Sequence, residues 1–206
     1  PVGPSSGGGN FVYRARLGWL RKQDNSDARY QWNVGAYTFV NGWTKAPRAD
    51  STLWGMTKYQ KIYPSTAYWQ DHLANFPLYR LAEIKLLFAE AENEVNGGPT
   101  AEAYNQLNQV RYRARPEDHK TDGMVLPDIT NLSQAEFREA IMTERANEMI
   151  TEAKRRFCLI RWDNMEEKVA ESNTTVRDNG LDKKYYLWPL PIVEISLNGW
   201  EQNAGW

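Results

Sequence analysis

The spacing of apolar positions changes character near residue 76. From Phe76 onward Leu78, Leu81, Ala82, Ile84, Leu86, Phe88 and Ala89, with the stem of Lys85, form one broad face, while Glu83, Glu90, Glu92 and Glu94 fall mostly elsewhere. That pattern predicts an amphipathic helix. Asn96-Gly97-Gly98-Pro99 closes it, because glycine accepts the left-handed C-terminal position and proline cannot continue a helix. Thr100 is placed to cap a second helix running to about Arg115 and ended by Pro116. Two helices joined by so short a turn are expected to lie antiparallel, as a helical hairpin.

Pro116 to Asn131 reads as loop. Ser133 with Glu136 three residues on is a capping-box signature, and it opens a long third helix through Phe137, Ile141, Met142, Met149 and Ile150. The segment from Lys154 to Trp162 begins a further helix, and Ser172 to Lys184 reads as loop. Leu187-Trp188-Pro189-Leu190-Pro191 is expected to be extended, since each proline biases its predecessor away from helix. A short helical turn is expected over Ile192 to Leu197, ending at Asn198-Gly199.

Upstream of residue 76 helical periodicity is weak. Residues 1–75 read as irregular structure with short strands, of which Tyr37-Thr38-Phe39-Val40 before Asn41-Gly42 is the clearest strand-then-turn signal. Pro47 and Pro64 mark further loops. The pattern therefore gives a mainly α chain with an irregular, loop-rich first third and short strands. Its helical hairpins have the length of tetratricopeptide-type units without a clean repeat consensus.

Composition sharpens that division. Nine Trp and eleven Tyr are present, and eleven of these twenty lie before residue 70. At 206 residues the chain is long enough for one domain with a real core. A net charge of -1 with no Lys/Arg run argues against nucleic acid as a partner. No apolar stretch approaches the roughly 20 residues needed to span a bilayer. Pro1-Val2-Gly3-Pro4-Ser5-Ser6-Gly7-Gly8-Gly9 has neither an initiator Met nor the apolar core of a signal peptide, and is expected to be an internal segment of a longer protein.

Candidate chemistry is sparse. Cys158 is the sole cysteine, so the chain holds no disulfide framework, and its apolar surroundings predict a buried small side chain. His72 and His119 are 47 residues apart with no ligand-like spacing, so no metal and no cofactor is expected. The run Glu144, Arg145, Glu148, Glu152, Arg155 and Arg156 is the one dense charge cluster. A retaining glycosidase needs two carboxyls about 5 Å apart facing an open cleft. Carboxylates at i, i+4 beside arginines read instead as structural ion pairs.

Four segments, in order, resemble the SusD/RagB family. Phe76-Pro77-Leu78-Tyr79-Arg80-Leu81-Ala82-Glu83-Ile84 through Phe88-Ala89-Glu90-Ala91 is similar to its alanine- and glutamate-rich helix. Leu107-Asn108-Gln109-Val110-Arg111-Tyr112-Arg113 is similar to its LNxvRxR segment, with Ala114-Arg115 where the family has Ala-Gly. Ile141 to Trp162 resembles its charged signature through Glu144, Arg145, Glu148, Glu152, Arg155, Arg156, Leu159, Arg161 and Trp162, with Cys158 in place of an aspartate. Leu187-Trp188-Pro189-Leu190-Pro191, Glu194-Ile195 and Gln202-Asn203-Ala204-Gly205-Trp206 resemble its closing motif, with Asn198-Gly199 in place of Asn-Pro. Asp27-Ala28-Arg29 is similar to the DxR element that precedes these in the family.

The resemblance implies a SusD-like fold in which residues 76–206 form the helical C-terminal scaffold and residues 1–75 a candidate ligand-binding region, one structural domain overall whose N-terminal half lies outside this chain. It also implies a non-catalytic lipoprotein on the outer-membrane surface, its lipid anchor missing from this chain, that binds glycan and hands it to a SusC-like TonB-dependent transporter. Binding of peptide or another nutrient by the same kind of complex is an alternative, glycoside hydrolysis a second, and a purely structural helical adaptor a third. No binding residue carries over from a motif. The candidates come from composition: Trp32, Tyr37, Trp43, Trp54 and Trp69 as stacking surfaces, with Asn33, Asn41, Arg48 and Asp50 as polar partners. Trp162, Trp188, Trp200 and Trp206 lie inside motifs and are expected to pack.

Overall fold

Local signals place most of the helices. In the computed structural model, which describes residues 26–35, 37–40, 44–47, 55–56, 58, 77–171 and 173–206, helix dominates. The elements are α1 (Ala28–Asn33), β1 (Val34–Gly35), β2 (Tyr37–Val40), β3 (Thr44–Pro47), β4 (Gly55–Met56), α2 (Leu81–Val95), α3 (Ala101–Ala114), α4 (Gln134–Glu148), α5 (Arg155–Arg161), α6 (Met165–Ala170), α7 (Thr174–Asn179) and α8 (Ile192–Asn198). Short 3-10 turns occupy Glu117–His119 and Lys183–Tyr186. The chain divides into two compact units, the first ending at Arg155 and the second running from Arg156 to Trp206. The sequence-based boundary at residues 75/76 lies inside the first unit.

In the first unit α2 ends as its glycines require. Gly97 sits in the left-handed region at φ +67°, and Gly98 N–H closes back on the Asn93 carbonyl at 3.0 Å. Thr100 caps α3, accepting from Ala103 N–H at 3.1 Å, and also donates to Glu92 at 2.8 Å. Lys85 meets Gln109 at the other end of the same two helices. Contacts 92 to 100 and 85 to 109 run in opposite senses along the chain, so α2 and α3 are antiparallel. Ser133 and Glu136 form the complete capping box on α4, worth about 1 kcal/mol.

The core of this unit is the seam between α2, α3 and α4. Leu86, Ala89, Ala103, Leu107, Val110, Phe137, Ile141 and Met149 are buried together. Tyr104 meets Phe137 edge to face at 4.9 Å, while its hydroxyl accepts from Leu132 N–H at 2.7 Å and pins the approach to α4. Asn93 and Gln134 each donate to the other's backbone carbonyl at 3.1 Å, tying α2 to the start of α4. The broad apolar face read for α2 is covered on one side only. Leu86 and Ala89 are fully buried, whereas Leu81 is 70% exposed and Ile84 and Phe88 are also exposed.

The structure corrects several expectations. The third helix stops at Glu148 instead of running through Ile150. Thr151 and Ala153 then take positive φ of 65° and 56°, each costing roughly 1–2 kcal/mol. They flank Glu152, whose carboxylate is buried and ion-paired, and that anchoring offsets the strain. Pro47 ends a strand: β2 and β3 pair antiparallel from Tyr37 opposite Pro47 to Val40 opposite Thr44. Proline is tolerated at a strand end, where a missing N–H costs little. β1 pairs with β4, Val34 opposite Met56.

In the second unit the expected loop over 172–184 contains α7, started by Asn173, which accepts from Thr175 N–H and Val176 N–H, and a 3-10 turn capped by Asp182. Asx caps are short-range devices that hydrophobic periodicity does not reveal. α8 ends as expected, with Gly199 left-handed at φ +65°. Cys158 is buried, as its apolar surroundings predict. The terminal tryptophans, expected to pack, are not buried. Trp188 is exposed beneath the Arg156 guanidinium, 4.0 Å from its ring centre. Trp206, also exposed, donates to the Lys184 carbonyl at 3.1 Å. Trp200 is exposed as well.

Two substitutions test this account in opposite directions. Ser133→Ala removes half of the capping box and is expected to lower stability by about 1 kcal/mol. Ala153→Gly relieves a left-handed alanine and is expected to raise it by about 0.5–1 kcal/mol. Urea unfolding followed by far-UV circular dichroism measures both.

Candidate functional site

The chemistry of the first unit is concentrated where α1, α3, α4 and the segment before α2 meet. Asp27 accepts from Arg29 backbone N–H at 2.8 Å and from its Nε at 3.0 Å. A second carboxylate oxygen takes Nη2 at 2.7 Å. This local fork aims Nη1 of Arg29 at α4, where it reaches Glu144 at 2.5 Å and Glu148 at 3.0 Å. Arg111 of α3 closes the far side of Glu144 at 3.1 Å.

Glu148 is the hub. Arg29, Arg80 and Arg113 all pair with it. Glu152, a turn beyond α4, takes Nε of Arg80 at 2.8 Å and the ammonium of Lys58. Arg80 Nη2 also donates to the Glu148 backbone carbonyl, one of the acceptors left at the helix end. Glu144, Glu148 and Glu152 are almost wholly buried. Burial pushes the Glu148 carboxyl up, but Arg113, Arg80 and Arg29 outweigh it and hold that group below the ordinary carboxylate range. Burial likewise opposes the charge on Arg29, and Glu144 and Asp27 more than restore it. For Lys58 burial prevails and lowers its pKa despite Glu152.

These partners differ from those the sequence suggested. The i, i+4 glutamates pair with cations brought from α1, α3, residue 58 and residue 80, not with arginines of their own helix. A separate buried cluster joins Glu83 of α2 to Arg145 at 3.4 Å and Lys154 at 3.2 Å. Arg156, Arg161 and Trp162 belong to the second unit, where the Arg161 guanidinium lies 5.2 Å from the Trp162 ring centre.

A cavity of about 460 Å³ opens onto the hub. Among the described residues its lining includes Arg29, Trp32, Asn33, Lys58, Arg80, Arg113, Glu148 and Glu152. Its volume suits a small ligand. Trp32 is 37% exposed, and its indole N–H donates to the Lys58 carbonyl at 3.1 Å. Of the residues predicted from composition, Trp32 and Asn33 thus reach one cavity. Tyr37 lies in β2, paired with Pro47. Trp43, Trp54, Trp69, Asn41, Arg48 and Asp50 lie outside the described residues, as does His72. His119 stands apart at the end of a 3-10 turn, 2.6 Å from Asp122, which raises its pKa. Among the described residues no group of His, Cys, Asp and Glu has the arrangement of a metal site.

Sequence reasoning missed Lys58, Arg80, Arg111 and Arg113 as members of the site. Arg80, Arg111 and Arg113 stand inside the quoted motifs, so the available signal was an unpaired arginine in each of two helical segments opposite an acidic third.

The first unit is thus a mainly α scaffold stitched by buried ion pairs, with a cavity lined by Trp32 and by charged side chains. Comparison with known sequences gives the family. The SusD family profile matches residues 18–206, and the chain belongs to that family. It is 34% identical over 136 residues to SusD-like protein P25 of Formosa agariphila, a match covering 62% of this chain and 23% of that protein. The chain spans about a quarter of the length of the curated relatives it matches. Among solved structures it resembles a SusD homologue from Bacteroides thetaiotaomicron, with TM-score 0.72, 26% identity, and coverage of 95% of this chain and 43% of that one. It also shares its fold with surface glycan-binding protein A from Bacteroides uniformis, with TM-score 0.64, 23% identity, and coverage of 92% and 40%.

The hub carries a pH prediction. A carboxylate whose folded pKa is depressed contributes its full stabilisation above its unfolded value near pH ~4.3, and loses it as pH falls through the folded value. Glu148→Gln is expected to cost about 3–5 kcal/mol at neutral pH, because three guanidiniums lose their shared anion. The variant should also lose stability less steeply than the wild type below about pH 4.3. Urea midpoints across the acid range measure this, and parallel profiles for the two proteins would exclude Glu148 as the acid-sensitive group.

Proposed function

We propose that this chain is part of a non-catalytic protein that captures oligosaccharide or polysaccharide at the outer-membrane surface, as a lipoprotein, and delivers it to a SusC-like TonB-dependent transporter. Membership of the SusD family across residues 18–206 carries the reading. The fold shared with a surface glycan-binding protein agrees with it. Trp32 supplies a physical reason: an indole held at a cavity wall by its own N–H offers an apolar face to the C–H face of a sugar, and Asn33 and Arg113 stand on the same lining for the hydroxyls. Among the described residues no helix is long and apolar enough to cross a membrane.

The chemistry of the two glutamates on the cavity supports binding over hydrolysis. A glycosidase acid must hold a proton near neutral pH, which requires a raised carboxyl pKa. Glu148 is shifted the other way, and Glu152 is committed to Arg80 and Lys58. The cavity also carries an aromatic wall and four cations, which favours glycan over the acidic, aromatic-poor site expected for peptide cargo.

Native affinity electrophoresis against plant, host and microbial polysaccharides tests the reading, alongside Trp32→Ala, Trp43→Ala and Trp54→Ala. Retardation by one glycan class is expected, reduced by about tenfold or more in apparent affinity when a stacking tryptophan is removed from a protein that still folds, the loss of roughly 1.4 kcal/mol. Turnover of a chromogenic glycoside, or retardation by none of the polysaccharides in a longer chain that includes these 206 residues, would overturn it.

A further inference from the structure

Among the described residues the ion-pair network around the cavity holds one more cation than anion. Five cations, Arg29, Lys58, Arg80, Arg111 and Arg113, meet four carboxylates, Asp27, Glu144, Glu148 and Glu152. The surplus has a location. Arg29 spends its guanidinium on Asp27, Glu144 and Glu148. Arg80 spends its own on Glu152, Glu148 and the Glu148 carbonyl. Lys58 holds Glu152 and that same carbonyl. Arg111 is divided between Glu144 and the Pro127 carbonyl.

Arg113 differs from all four. Its side chain is 59% exposed, and only Nη2 engages a carboxylate, on a Glu148 that two other arginines already neutralise. A guanidinium carries five N–H donors in a planar fork that matches a carboxylate. Arg113 therefore brings to the cavity a positive charge and N–H groups that can turn to a ligand without unpairing Glu148. Trp32 lines the same cavity, and its N–H is already used, so its contribution is apolar ring surface.

We propose that the cavity takes a sugar ring bearing a carboxylate, the ring against Trp32 and the carboxylate on the Arg113 guanidinium. The proposal rests on the glycan reading above and narrows it to acidic glycans. The bound carboxylate supplies a fifth anion to these five cations. Glu148 and Glu152 also face the cavity, but each is held by cations and presents no free negative charge to repel the ligand.

The test separates charge from ring. Binding of galacturonate, glucuronate and mannuronate oligosaccharides is measured by calorimetry, each against its methyl ester, which keeps the ring and removes the charge. The wild type is expected to bind at least one acid form about tenfold or more tightly than its ester, with the preference shrinking as salt rises. Arg113→Gln removes the preference and leaves ester binding, Arg113→Lys keeps part of it, and Trp32→Ala weakens acid and ester alike. Arg113 also pairs with Glu148, so the readout is the acid-to-ester ratio of variants whose thermal melts match the wild type. Equal affinity for acid and ester, or an acid preference that survives Arg113→Gln, overturns the charge assignment and leaves glycan capture standing. Failure of every uronate to bind overturns it as well, and the neutral polysaccharides of the electrophoresis panel then decide the glycan reading separately.

Discussion

Three guanidiniums share the Glu148 carboxylate, and each comes from a different stretch of chain: Arg29 from α1, Arg80 from the entry to α2, Arg113 from the end of α3. A buried ion pair is weak as a source of net stability, because desolvating both charges consumes most of the attraction. Its force is conditional. Once Glu148 is buried at the end of α4, an arrangement that withdraws Arg29 or Arg80, the two arginines held inside with it, leaves charge uncompensated in a low-dielectric interior, at a cost of several kcal/mol. The hydrophobic seam of Leu86, Leu107, Phe137 and Ile141 would tolerate small slips between helices. The hub does not, and it also explains why α4 stops where it does. Arg80 satisfies the Glu148 carbonyl at the helix end, and Glu152 needs the left-handed turn through Thr151 and Ala153 to reach Arg80 and Lys58.

Much of this was legible in the sequence because it is local. A capping box, a Gly-Gly-Pro stop and an asparagine-glycine end each act within four residues, so α2, α3, the start of α4 and the end of α8 could be read directly. The antiparallel hairpin followed from the shortness of its turn. The end of α4 could not be read that way. Met149 and Ile150 continue the apolar period, and the residues that end the helix are Arg80 and Lys58, far away in the chain. The short α7 was hidden for the opposite reason: its asparagine cap is local, but six residues carry no usable apolar period.

The charge cluster shows the same limit at the level of the site. Spacing identifies that Glu144 and Glu148 share a helix face, and that face could equally serve neighbours on its own helix. Only the fold chooses the distant arginines. Yet the family-like segments hold nearly all the partners. Asp27-Ala28-Arg29, Arg80, Arg111 with Arg113, and Glu144 with Glu148 and Glu152 look like separate motifs along the chain, and they are one object in space. Motifs spread over 126 residues of sequence thus have a single physical explanation, the mutual neutralisation of buried charge.

That object also connects scaffold to site. Trp32 lies three residues after Arg29, so the two side chains leave α1 on neighbouring positions of one face. The short helix could not hold a tryptophan in place by its own propensity, since six residues are too few for an independent helix. Its fixed point is Arg29, clamped by Asp27 on its own segment and by Glu144 and Glu148 on α4. The Trp32 N–H adds a second tether through Lys58, itself anchored on Glu152. The ring is thus held from both sides by the charges that organise the helices. Changes in the segments around it leave this frame undisturbed, provided the glutamates of α4 keep their cations. The arginines opposite α4 are thus fixed by the fold, whatever else the segments before residue 76 carry.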